Sequence, residues 1–177
     1  MQTTFEVPGN KTTRPASSRS RLSRAVTIGT IAGVAAGFIV LVPVLILQLA
    51  RGVGVVPEMQ LAASSVMGMS AYDGIAGLIV GILLHFFVSI LPALAYGLIA
   101  WRLPAVNRWA WIGGPVLGIA VFFFMGLVVL PLSAFTTPAS VTAMPYLPAL
   151  LIHMFGLGLP IALLIQRGWA KPDDIRR

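Results

Sequence analysis

Residues Gly74 to Trp101 read GIAGLIVGILLHFFVSILPALAYGLIAW, without one Asp, Glu, Lys or Arg. A helix that crosses the hydrocarbon layer needs about 20 predominantly apolar residues, and this run is longer than that. A charge at the centre of such a helix costs about 2.5–3.5 kcal/mol on the insertion scale. The run therefore reads as a transmembrane helix. Three further stretches share its character: Ala25–Ala50, Trp109–Leu132 and Tyr146–Gln166. The predicted fold is an all-α, antiparallel bundle of four transmembrane helices over 25–166. Basic tails at 1–24 and 167–177 flank it, the first reading as disordered because it is polar and poor in apolar residues.

Composition supports the same class. The chain is 58% hydrophobic and 10% charged, whereas a soluble domain carries about 25% charged residues. It has no cysteine, which excludes disulfides, thiolate catalysis and Cys-ligated metal centres. The first apolar run is too long for a signal-peptide core and follows a polar tail, so it reads as a retained helix.

Charge placement predicts orientation. Lys11, Arg14, Arg19, Arg21 and Arg24 precede the first span. Arg102 and Arg108 join the second to the third, and Arg167, Lys171, Arg176 and Arg177 follow the fourth. Three alternating segments thus hold every basic residue except Arg51. The positive-inside rule assigns them, and both termini, to the cytoplasm of a bacterial inner membrane. The net charge of +7 is explained by basic segments that touch anionic lipid. Nucleic acid is not an expected partner, because no aromatic-interleaved basic fold accompanies the charges.

Within the spans, small residues recur every fourth position: Gly29, Gly33 and Gly37 in the first, Gly77 and Gly81 in the second, Gly114 and Gly118 in the third, with Gly126 further along. Such ridges let helix backbones approach closely in lipid. Pro43, Pro92, Pro115 and Pro160 interrupt the spans and predict kinks whose freed carbonyls find other partners.

The intramembrane ionisable groups are His85 and His153, with Ser89 and Tyr96 on the His85 face at i+4 and i+11. At 1.5 Å per residue, His85 lies about 15 Å and His153 about 10 Å below the outer ends of their spans. The two are expected on inner helix faces in one polar cluster with Ser89 and Tyr96. Three uses of that cluster follow: histidines bonded structurally to Ser, Tyr or a freed carbonyl; ligation of haem b or a metal by the two imidazoles; or a pH-responsive, substrate-contacting pair. The structural use requires no metal and no cofactor. Between the first two spans, Val55–Asp73 predicts a short outer helix starting near Pro57-Glu58. Its Met59, Met67 and Met69 read as packing residues rather than Cu(I) ligands. Ser133–Pro145 is expected to cap the outer end.

The run from His85 through Ser89 and Ala93 to Tyr96 resembles the second-helix signature of YagU-type bacterial inner-membrane proteins. The Gly-rich first helix, the Trp111-Ile-Gly113 opening of the third and the histidine early in the last are also similar. The resemblance implies an inner-membrane location and no established reaction. Two features of that family pattern are missing: a third-helix histidine, where this chain has Phe122–Met125, and an acidic residue late in the last helix, where it has Leu163–Gln166. No P-loop, zinc-protease motif or nucleophile elbow occurs, so the expected function is non-enzymatic: envelope support through a small ligand, a membrane-protein partner or a homo-oligomer. The alternatives are a haem-binding or electron-transfer subunit using His85 and His153, and a small-solute permease or channel component.

Overall fold

The computed structural model describes residues 18–52, 54–138 and 144–169. The described chain is helical, without strands. The first helix, α1 (Ser18–Ala50), leads into α2 (Val55–Met67) and a 3₁₀ turn, Gly68–Tyr72. Next come α3 (Ile75–Arg102), the short α4 (Pro104–Arg108) and α5 (Ala110–Phe124), which continues as a π-helical turn, Met125–Val129. The last span begins as α6 (Tyr146–Leu151), widens into a π-helical segment, Ile152–Gly158, and ends as α7 (Leu159–Trp169). Four helical stretches of 30, 28, 20 and 24 residues are long and apolar enough to cross a membrane. This is the architecture of a multi-pass membrane protein.

The first helix starts earlier than expected. Residues 18–23, assigned to a disordered tail from composition, form its opening turns. Extending an existing helix adds one hydrogen bond per residue fixed, whereas nucleation is the costly step, so a stable span recruits its Arg- and Leu-containing flank. The remainder of the N-terminal tail and residues 170–177 lie outside the described residues. Pro43, Pro92 and Pro115 sit inside continuous helices. Pro160 is the second residue after the π-helical segment. A wider i→i+5 turn before a proline accommodates its ring and missing N–H without breaking the span.

The spans run antiparallel. α1 lies between α3 and the last span, and α5 packs on the last span's other side. The core is rich in alanine: Ala32, Ala36, Ala93, Ala100, Ala110 and Ala162 lie in it with Val40, Leu157, Ile161 and Ile165. Large apolar residues such as Ile31, Phe38, Leu83, Phe87, Trp111, Phe124 and Leu127 point outward. In lipid there is no hydrophobic gain from helix association, so close backbone contact through small residues takes its place.

The glycine ridges make these contacts. A Cβ on Gly33 would come within 2.5 Å of the Ile90 Cα, and Gly29 and Gly37 face Leu94 and Phe86 on the same helix, α3. On α5, a Cβ on Gly114 would reach 2.6 Å from Leu159 Cα, and one on Gly118 would overlap the His153 carbonyl. Gly77 and Gly81 serve a different neighbour. They face the Ala71 and Met59 carbonyls, so the ridge on α3 receives α2 and its 3₁₀ turn. A Cβ on Gly126 would meet nothing within 4 Å.

The two ends of the bundle differ. At the near end, the Arg24 guanidinium donates to the Gly168 carbonyl at 2.8 Å and Gln166 Nε2 to the Asn107 carbonyl at 2.8 Å. The start of the first span, the α3–α5 connection and the end of the last span therefore adjoin. Arg19, Arg21, Arg24, Arg102, Arg108 and Arg167 are all found here, and Arg51 is at the far end. At the far end, Ala134 N–H donates to the Ser65 carbonyl, Thr136 N–H to Ser64 Oγ and Tyr72 O–H to the Thr136 carbonyl. The described part of the expected outer cap is thus tied to α2. Its residues 139–143 lie outside the described set.

Candidate functional site

His85 stands on α3 where α1 presents Gly37. Its Nε2 is 2.9 Å from the Gly37 carbonyl oxygen. A carbonyl only accepts, so Nε2 carries the proton and a neutral ring keeps Nδ1 as its free acceptor. The approach depends on Gly37, whose missing side chain leaves room for the neighbouring Phe86 ring, 3.0 Å from where a Cβ would stand. Phe86 also meets the His85 ring edge-on at 5.4 Å between centroids. One turn on, the buried Ser89 hydroxyl donates to the His85 carbonyl at 2.8 Å. His85, Ser89 and Gly37 form one compact α1–α3 contact.

Tyr96 lies on the same helix about 16 Å further along, at 1.5 Å per residue. Its hydroxyl donates to the Val106 carbonyl of α4 at 3.3 Å. A Cβ on Gly113 would stand 2.6 Å from that oxygen. The Gly113 position thus admits the phenol, which ties α3 to α4 beside the start of α5.

His153 sits in the π-helical segment of the last span. Its Nδ1 donates to the Ala149 carbonyl of its own helix at 2.7 Å, which leaves Nε2 as the acceptor of a neutral ring. The ring meets Phe122 of α5 edge-on at 5.4 Å. Its backbone carbonyl is the group that Gly118 accommodates. π-helical turns widen the backbone at functional positions in many proteins. Here the widened turn carries the histidine at a close approach of two spans.

The hydrogen bonds of the four candidate residues go to separate places. His85 and Ser89 share the α1–α3 contact, Tyr96 belongs to the near-end corner, and His153 belongs to the contact between α5 and the last span. A helical face common to His85, Ser89 and Tyr96 places them in line, but a line along a helix spans the bundle's depth. A ligand bound by both imidazoles would meet Nδ1 of His85 and Nε2 of His153.

Other polar residues hold the structure and carry no charge that would mark them in an apolar run. Gln48, 1% exposed, donates through Nε2 to the Glu58 carboxylate of α2 and accepts from Arg51 Nη1 at 2.9 Å. The amide bridges the anion and the cation where α1 ends and α2 begins. Gln166 ties the last span to α4 by donating to the Asn107 backbone carbonyl at 2.8 Å. The signal for both is an amide near the end of a span otherwise free of polar groups. Asp, Glu, His and Cys form no group of three suited to a metal ion among the described residues.

Comparison of the chain with family models, with curated proteins and with solved structures yields no match.

Proposed function

We propose that this is a non-enzymatic inner-membrane protein, with both termini in the cytoplasm, whose bundle supports the envelope by holding a membrane partner or a small ligand. The observation that carries this reading is the use of the intramembrane polar side chains. His85, Ser89, Tyr96 and His153 each donate to a backbone carbonyl. The His85 and Tyr96 bonds join one helix to another, as such bonds do in lipid, while those of Ser89 and His153 stay within their own spans, a use that suits a scaffold better than a reaction centre. The near-end clustering of arginines supports the orientation, and the YagU-type run from His85 to Tyr96 agrees with the location.

The test is complementation of a deletion strain under envelope stress, at matched membrane levels of protein. His85→Leu and His153→Leu are expected to complement in proportion to the folded protein that remains. A variant that folds normally in detergent yet fails to complement would show that the imidazole itself acts, and would overturn the scaffold reading.

The haem reading rests on one observation: each ring keeps one nitrogen outside its hydrogen bond. An absorption spectrum of the purified protein separates the two. A Soret band that survives purification and is lost in both histidine variants would replace the scaffold reading with haem binding.

A further inference from the structure

All four tryptophans of the chain, Trp101, Trp109, Trp111 and Trp169, lie at the near end. Two of them wall a cleft of about 270 Å³ where the start of α1, the end of α3, α4 and the end of α7 meet, lined by Arg21, Ala100, Trp101, Pro104, Asn107 and Trp169. Each wall is backed by a cation. The Arg24 guanidinium stands 5.3 Å from the centre of the Trp169 ring, and that of Arg102 is 4.5 Å from Trp101. Among the described residues the carboxylates, Glu58 and Asp73, belong to the far end. Among the described residues the charges around the cleft are therefore all positive.

Two polar atoms on its lining residues lack partners among the described residues. Trp169 Nε1 and Asn107 Oδ1 are both buried and make no hydrogen bond. The indole N–H is a donor only and the amide oxygen an acceptor only. A buried polar group without a partner is unusual in a folded protein and calls for a missing one. Asn107 is held firmly beside the cleft, because Gln166 of the last span bonds its backbone carbonyl.

We propose that this cleft binds the head group of an anionic phospholipid that carries free hydroxyls. As they stand neither buried atom is open to the cleft, so the Trp169 and Asn107 side chains turn towards it on binding, and the phosphate oxygens then accept from the Arg21 guanidinium and from the Trp169 indole N–H. A head-group hydroxyl donates to Asn107 Oδ1, which a phosphate diester alone has no proton to satisfy. The site lies where spans end and tryptophans sit at head-group depth, so the acyl chains stay in the bilayer beside the bundle. General attraction of basic segments to anionic lipid needs only charge. This site also needs a particular donor and a particular acceptor.

The experiment titrates the full-length protein in detergent with phosphatidylglycerol, phosphatidylethanolamine, phosphatidylcholine and free glycerol 3-phosphate, reading bound lipid by native mass spectrometry. Phosphatidylglycerol is expected to be retained in preference to the other two lipids. Arg21→Gln and Trp169→Phe are each expected to weaken it about tenfold, while Arg108→Gln, an equal charge change at the same end but outside the cleft lining, leaves it within about twofold. Trp169→Phe keeps an aromatic ring for Arg24, and melting in detergent checks its fold. In wild-type protein labelled with ¹⁵N-indole, one of the four indole signals should move on addition of phosphatidylglycerol, without any substitution. Equal weakening by Arg21→Gln and Arg108→Gln would overturn the proposal, as would unmoved indole signals. Binding of glycerol 3-phosphate without retention of the lipid would overturn the assignment to a lipid.

Discussion

At the residue scale, the absence of a side chain is as informative as a histidine. Gly33 is buried against the α3 backbone, whereas Gly52, in the turn after α1, has a φ of 75° and nothing within 4 Å of its missing Cβ. Gly33→Leu must push two spans apart, an overpacking that costs about 1–3 kcal/mol or more. Gly52→Leu meets only the strain of a left-handed backbone, about 1–2 kcal/mol. Thermal melting in detergent should therefore rank Gly33→Leu as the more damaging, and equal melting points would place the α1 ridge against lipid. The histidines lead to a second expectation. Because His85 donates across to α1 and His153 to a carbonyl of its own span, His85→Leu should cost about 0.6–1.7 kcal/mol and His153→Leu no more than that. The double variant should be additive within about 0.5 kcal/mol. Larger coupling would mean that the two rings share a partner, as one polar cluster requires. The residues themselves were legible in the sequence as rare polar groups in apolar runs. Their partners were not, because a carbonyl that accepts a bond leaves no mark on the sequence.

At the element scale, α2 shows how a repeated motif serves different neighbours. The four-residue glycine spacing looks alike in α1, α3 and α5, yet Gly77 and Gly81 of α3 receive α2 rather than another span. A Cβ on Gly81 would overlap the Met59 carbonyl. Gly81→Ala should consequently loosen α2 while the four spans remain assembled. Single cysteines placed in this cysteine-free chain at Met59 and Ala63, both buried, should become reactive to a maleimide in the Gly81→Ala background, with little loss of helicity by circular dichroism. Protection equal to that in the parent protein would show that α2 is held by other contacts, such as the Gln48–Glu58–Arg51 group. Helix α2 was expected from its Pro57-Glu58 start. Its docking against α3 was not, since the ridge that receives it is identical in pattern to one that receives a span.

For the whole molecule, the tryptophans and every described arginine except Arg51 gather at the end where the described chain starts and finishes. Reporter fusions at Arg108 and Arg177 should read cytoplasmic, and fusions near Ser64 and Thr137 external. A cytoplasmic signal at Thr137 would break the four-span topology. The same asymmetry underlies the proposed lipid site. Its cations belong to the basic segments that the described chain gathers at one end, and its unpartnered indole and amide oxygen come from the meeting of α4 with the last span.

Four helices of membrane-spanning length follow from the sequence by itself, because lipid selects for long charge-free runs and each run reports on its own surroundings. The alternation of basic connections likewise predicted which segments share an end, and Arg24 with Gly168 and Gln166 with Asn107 bring those segments together. Only the tertiary structure decided which ridge meets which helix, where the four polar side chains find their acceptors, and that Trp169 and Asn107 stand beside one cleft. The reason is physical. Between helices in lipid the stabilising contacts are close packing and single hydrogen bonds to backbone atoms, and these depend on shape in three dimensions, whereas hydropathy and charge are properties of each segment alone.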